Sequence, residues 1–264
     1  MGSQLLTAET LCIAVAIGAA SGAIGAFIIL KRMALVGDAL SHVALPGIAL
    51  ALSYQLDPLW GVATCLLAAA LLLWWLESKS NLPIDALVGL LFTASLAIGI
   101  LTIPDADVLE SLFGAFPALS PAAFAIVVSS ACVATALSYL LARQFLFRVI
   151  SSDLAQAHGV GRLYDLLLLL IFSGVVALGI KLVGTLLMGA LTIIPAAVAR
   201  NLTKGMKRYM VIASGLGSAI SGLGTIAAGV LGLRPGPAII LLGVLLFVLS
   251  LLPRLAARSI APRR

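Results

Sequence analysis

The stretch AETLCIAVAIGAASGAIGAFIIL, Ala8 to Leu30, is followed at once by Lys31-Arg32. Twenty-three residues with one acid at the start and no base are long enough to cross a bilayer as a helix, which needs about 20 apolar residues. The same pattern recurs along the chain. Of the 264 residues 62% are apolar and only 10% charged, with a mean hydropathy of +1.21. Soluble domains carry about 25% charged residues, so this chain has too little charge to cover a water-facing surface. It reads as an integral membrane protein in one transmembrane domain, residues 1–264, all α-helical.

Further spans fall at about 33–54, 58–76, 84–103, 121–142, 163–182, 184–199, 209–231 and 235–252. The sixth and seventh are parted only by Lys181–Gly184, a joint tight enough for one broken or re-entrant helix. The expectation is therefore a polytopic bundle of eight or nine helices. With the Lys31-Arg32 loop in the cytoplasm and sides alternating, fourteen of the sixteen Lys and Arg fall inside; only Lys181 and Arg234 lie outside. This strong positive-inside bias puts the C-terminus in the cytoplasm, the acidic loop Pro104–Ser120 outside, and the long polar connection 143–162 inside. With nine spans the N-terminus is outside. No basic region precedes the first apolar run, so no cleavable signal peptide is expected.

Several classes are set aside. Cys12, Cys65 and Cys132 lie far apart inside apolar runs, which suits small packing residues and no disulfide or zinc site. The net charge of +6 lacks the basic stripe with aromatics that nucleic-acid binding requires. Neither HExxH nor GxxxxGK[ST] occurs, so zincin chemistry and ATP binding by a phosphate loop are not expected in this chain. A membrane metalloenzyme would also need three ligands and a catalytic acid or base in one chain.

The second span carries the chemistry. Asp38 is the one acid well inside an apolar span, and His42 the one histidine there. An Asp at a helix centre costs about 2.5–3.5 kcal/mol on insertion scales, so it needs a role or a partner. The i, i+4 spacing puts both side chains on one helical face. Ser41 flanks that face, and Pro46, lacking an N–H, frees the carbonyl of His42. At 1.5 Å per residue from Arg32, the pair lies about 9–15 Å deep. Three readings stay open: a buried Asp–His lock between helices, a proton relay in a proton-coupled secondary carrier, and a divalent-cation pathway. Carboxylate oxygen with imidazole nitrogen suits Zn²⁺, Mn²⁺ or Fe²⁺. Two ligands from one chain make a poor site, so the pathway reading predicts a homodimer with the cation near its axis.

The stretch KRMALVGDALSHVALPGIALA, Lys31–Ala51, resembles the signature of the zinc/manganese/iron-type permeases of bacterial ATP-binding-cassette importers. LESLFGAFPALSP (Leu109–Pro121), ISSDLAQAHGV (Ile150–Val160) and IKLVGTLLMGALTIIPAAVAR (Ile180–Arg200) resemble further blocks of that family in the same order. RPGPAIILLGVLLFVLSLL, from Arg234, carries the likeness to the end. The resemblance implies a multi-pass permease of the bacterial inner membrane that is not itself an enzyme. It implies a homodimer with two cytoplasmic ATPase subunits and an extracytoplasmic metal-binding protein. The divalent metal would be substrate, with no covalent cofactor. Asp38 and His42 would contact the metal, with Ser41 and Pro46 as support. The segment holding Asp153, Ala155 and Gly159 would dock in the ATPase. His158, in the same segment, is not counted as a ligand. Gly18 with Gly22, and the run Gly215, Gly217, Gly222, Gly224, Gly229 and Gly232, permit close helix packing.

Overall fold

In the computed structural model, residues 7–56, 58–80, 82–102, 112–113 and 120–260 are described. The acidic residues Asp105, Asp107 and Glu110, and most of the block Leu109–Pro121, lie outside them. Among the described residues there is no strand. The chain runs through α1 (Ala8–Leu30), α2 (Ala34–Ser53), α3 (Pro58–Lys79), α4 (Ile84–Thr102) and α5 (Pro121–Leu140). It continues with α6 (Ala142–Ile150), α7 (Ser152–Ala157), α8 (Leu163–Val183), α9 (Thr185–Leu202), α10 (Met206–Leu231) and α11 (Pro235–Ile260).

Each of the nine apolar runs becomes one helix. Seven are long and apolar enough to cross a membrane on their own measure, and the apolar stretches Ile84–Gly99 and Leu187–Leu202 are shorter. Their ends follow local chemistry. The Thr7 hydroxyl accepts from the Thr10 N–H at 3.2 Å, and Ser120 caps Ala123 at 3.3 Å just before Pro121 at the first helical position.

The joint between the sixth and seventh spans is one residue, Gly184, at φ 88° and ψ 162°. That region of backbone space is essentially reserved for glycine, so the chain breaks there and reverses. Beyond it α9 has 18 residues, about 27 Å at 1.5 Å per residue. Its far end, Asn201, donates to Ser250 of α11 at 2.9 Å. The seventh apolar run is thus a separate helix, not a continuation of the sixth, and its far end packs on α11.

Burial separates inner helices from outer ones. In α1, α2 and α8, 72% of the apolar window is buried, against 28% in α3 and α11 and 17% in α5. The tightest pairing is α1 with α10. A Cβ built on Gly18 would land on the carbonyl oxygen of Gly217, one on Gly217 would land on that of Gly18, and one on Gly22 would strike Ala213. Backbone therefore meets backbone, as small residues permit between membrane helices. Ser214 adds a hydrogen bond to the Ala19 carbonyl at 2.8 Å. Gly215 behaves differently, with nothing within 4 Å of its Cβ position.

The polar connection 143–162 is a pair of short helices. α6 anchors on the bundle through Phe145, whose ring meets Phe27 of α1 edge-on with centroids 5.3 Å apart. α7 is capped by the Ser151 hydroxyl, which accepts from the Leu154 N–H at 3.3 Å. At this end Trp74 of α3 donates to the Arg162 carbonyl at 3.2 Å. Lys31, Arg148, Arg162 and Asp165 gather there, so loops that the charge pattern places on one side are in contact.

Candidate functional site on the second helix

α2 is held on three sides, by α3, α4 and α9. Two of these contacts need the absence of a side chain. Gly47 faces Gly61 of α3, where a Cβ on either would press on the other's carbonyl. Gly189 of α9 lies against α2 so closely that a Cβ there would sit 3.0 Å from the Asp38 backbone N and 3.1 Å from the Gly37 carbonyl carbon. The late Pro-containing stretch is thereby packed on the stretch that carries Asp38.

His42 is 5% exposed, and its ring meets Phe92 of α4 at right angles, 88°, with centroids 4.9 Å apart. Its Nδ1 is buried and has no hydrogen-bond partner among the described residues. A buried, unmade hydrogen bond costs about 1–3 kcal/mol, so this nitrogen is held in a state that a further group would relieve. Asp38, one turn earlier, is partly exposed. Ser41 is fully buried, and its hydroxyl donates to the Gly37 carbonyl at 2.7 Å. That bond leaves the Ser41 oxygen as an acceptor only. Pro46 is partly buried within α2, which continues past it to Ser53.

Among the described residues no group of three or more His, Cys, Asp and Glu side chains could hold a metal ion. One copy of the site thus offers a carboxylate and an imidazole, and no more. A groove of about 720 Å³ lies between α3, α5 and α8, lined by Trp60, Ile126, Val133 and Leu167 among others. It is apolar, and no residue of α2 lines it.

The other sequence-selected residues lie on α7 and its exit. Asp153 is exposed, Ala155 is fully buried, and Gly159 is exposed at φ 77°. The Val160 N–H returns to the Ala155 carbonyl at 2.8 Å, which closes the helix and turns the chain back to the bundle. Asp153, Leu154, Gln156 and Ala157 are left facing outward. His158 Nδ1 sits 2.8 Å from the Leu154 carbonyl, and its ring stacks on Phe147 at 5.9 Å. Its imidazole serves the end of α7, far along the chain from Asp38.

Sequence reading passed over Asp165. It is 4% exposed in the first turn of α8, and its Oδ1 accepts from Lys31 Nζ at 2.8 Å. Its Oδ2 accepts from Arg148 Nε at 2.9 Å and also from Nη2. The available signal was a lone acid at a span end surrounded by bases. Such an acid also suits a helix N-terminus, so the pattern did not single it out.

A helical bundle with seven described helices long and apolar enough to cross a membrane defines a polytopic membrane protein. The profile of the ABC 3 transport family matches residues 4–254, and the chain belongs to that family. A manganese transport system membrane protein, MntC of Listeria monocytogenes, is 31% identical over 249 residues, covering 92% of this chain and 89% of the relative. The high-affinity zinc uptake system membrane protein ZnuB of Haemophilus influenzae is 30% identical over 240 residues, covering 88% and 91%. Among solved structures, PsaBC from Streptococcus pneumoniae in complex with Fab matches with a TM-score of 0.81 at 30% identity. That match covers 92% of this chain and 90% of the other. The all-helical, multi-pass permease architecture expected from the sequence is thus shown.

Proposed function

We propose that this chain is the permease subunit of an ATP-driven importer of a divalent transition metal, of the manganese or zinc class. It works as a homodimer in the bacterial inner membrane, with its basic end and C-terminus in the cytoplasm. Two cytoplasmic ATPase subunits and an extracytoplasmic metal-binding protein complete the assembly. The observation that carries this reading is the buried, unpartnered His42 Nδ1 one turn from Asp38. The relatives named for manganese and zinc transport support the substrate class.

The chemistry follows from the donor count. Two copies facing across a two-fold axis supply two carboxylates and two imidazoles, enough for a tetrahedral Zn²⁺ or, with bidentate carboxylates, a more highly coordinated Mn²⁺. Two Asp charges also cancel the charge of a divalent ion, which reduces the penalty of holding an ion away from water. His42 is buried against Phe92 here, so a cation reaches it only when the contact between α2 and α4 loosens. Alternating access then amounts to exposing this patch first to one side and then to the other. Ser41 accepts from metal-bound water, and the His42 carbonyl freed by Pro46 offers a further oxygen. The outward face of α7, with Asp153 exposed and Ala155 as its buried footing, docks in the ATPase up to the turn at Gly159.

Affinity order alone does not choose among these metals, so the test is competition. Cells expressing the full complex should take up radioactive Mn²⁺ or Zn²⁺ at low concentration only when this chain is present. The unlabelled cognate ion should compete better than the other two of Mn²⁺, Zn²⁺ and Fe²⁺. If deleting the chain leaves the uptake of all three unchanged, the proposal is wrong.

A further inference from the structure

We propose that Lys31, Asp165 and Arg148 form a transmission joint that carries movement of the ATPase-docking helix to the helix bearing Asp38 and His42. This rests on the function proposed above and names positioning residues within it. The joint is defined by who holds whom. Asp165 opens α8 and is buried, with both carboxylate oxygens engaged, Oδ1 by Lys31 and Oδ2 by Arg148. Arg148 stands near the end of α6, and its Nη1 also donates to the carbonyl of Ser152, the first residue of α7, at 3.3 Å. Arg148 therefore clamps the start of the docking helix and the start of α8 with one guanidinium, whose planar fork resists rotation about either bond.

Lys31 is the other arm. It caps the end of α1, and only Arg32 and Met33 separate it from α2. That turn is stiff: Met33 is 1% exposed and its N–H donates to the Ile28 carbonyl at 3.0 Å. Pulling on the Lys31 ammonium therefore pulls on the first turn of α2, and Asp38 follows four residues beyond its start at Ala34, about 6 Å along at 1.5 Å per residue. The turn before α2, distant in sequence, thus meets the α6–α7 pair and the start of α8 at one carboxylate.

A purely structural role would not need charge here. A buried ion cluster is often no more stabilising than apolar groups of the same volume, because desolvation offsets the attraction. Its distinguishing property is directional: bonds to one carboxylate keep three elements in register while each moves. The two cations are also not equivalent. Arg148 binds through two nitrogens and Lys31 through one, so the α2 arm can be cut while the α7–α8 clamp stays closed.

That asymmetry supplies the experiment. Lys31→Met keeps most of the aliphatic stem and the Asp165–Arg148 bond, but breaks the link to α2. The full complex, with its ATPase and binding protein, is reconstituted in vesicles, and ATP hydrolysed per Mn²⁺ ion taken up is measured, with Zn²⁺ as probe if the wild type prefers it. Lys31→Met should still co-purify with the ATPase and hydrolyse ATP within about twofold of wild type, while ATP used per ion rises about tenfold, within the usual range of coupling between sites. Lys31→Arg, which restores the cation, should return the ratio close to wild type. An unchanged ratio in Lys31→Met overturns the joint, and so does loss of the ATPase from the complex, since the cluster would then be an assembly contact. If the wild type itself shows no ATP-driven uptake, the failure lies with the proposed function.

Discussion

On the proposed pathway, Asp38→Ala and His42→Ala should each reduce metal uptake by more than about a hundredfold, since loss of even a hydrogen-bonding partner of a metal ligand costs about 10–100-fold. Both variants should nevertheless reach the membrane in normal amounts. Asp38→Ala removes a charge from an apolar span, where an ionisable group is costly, so insertion does not suffer. His42→Ala removes a ring whose Nδ1 makes no hydrogen bond, so no partner is stranded. It leaves a gap beside Phe92, whose cost is a packing cost. The measurement is radiometal uptake normalised to permease in the membrane and to ATPase retained on it. Normal uptake by both variants would remove the pair from the pathway and leave the interhelical lock as its role.

The second large effect concerns two glycines separated by one residue. Gly217→Val should destroy the packing of α1 on α10, because its first added carbon would occupy the space of the Gly18 carbonyl oxygen. Overpacking a core by a methylene or two costs about 1–3 kcal/mol when side chains can shift; here the obstruction is backbone and cannot. Gly215→Val should be silent, since Gly215 is exposed with nothing near its Cβ position. Size-exclusion profiles of fluorescent fusions after heating should show Gly217→Val aggregated and Gly215→Val close to wild type. Equal behaviour of the two would contradict the α1–α10 contact.

These glycines illustrate how far the sequence could be read. Nine apolar runs and their order were legible because a membrane helix declares itself by length and composition. The gathering of the basic loops around Lys31, Arg148 and Arg162 at one end of the bundle was legible because the few charges are clustered. Helix faces were not, because helices such as α1 are apolar all round and lack the stripe that marks a buried side in a soluble protein. Gly215 and Gly217 therefore looked alike, although one is exposed and the other is pressed on backbone. Gly184 was visible as a tight joint, but that α9 is a separate helix ending beside Ser250 of α11 was not. At the candidate site, Asp38 and His42 stood out because charge is scarce around them. Asp165 did not, because a first-turn acid among bases is ordinary in sequence, and only the fold brings Lys31 and Arg148 to it. The Phe92 contact was likewise invisible, being one apolar residue among many on another helix.

In the proposed mechanism, ATP hydrolysis in a partner drives a divalent metal past Asp38 and His42. The direct test is uptake of radioactive Mn²⁺ or Zn²⁺ into vesicles holding the full complex, with ATP supplied to the ATPase and the proton gradient removed by a protonophore. Uptake should depend on ATP, persist without the gradient, and vanish in Asp38→Ala. Uptake that collapses with the gradient while ATP is held constant would instead identify a proton-coupled carrier that uses Asp38 and His42 as its titrating pair.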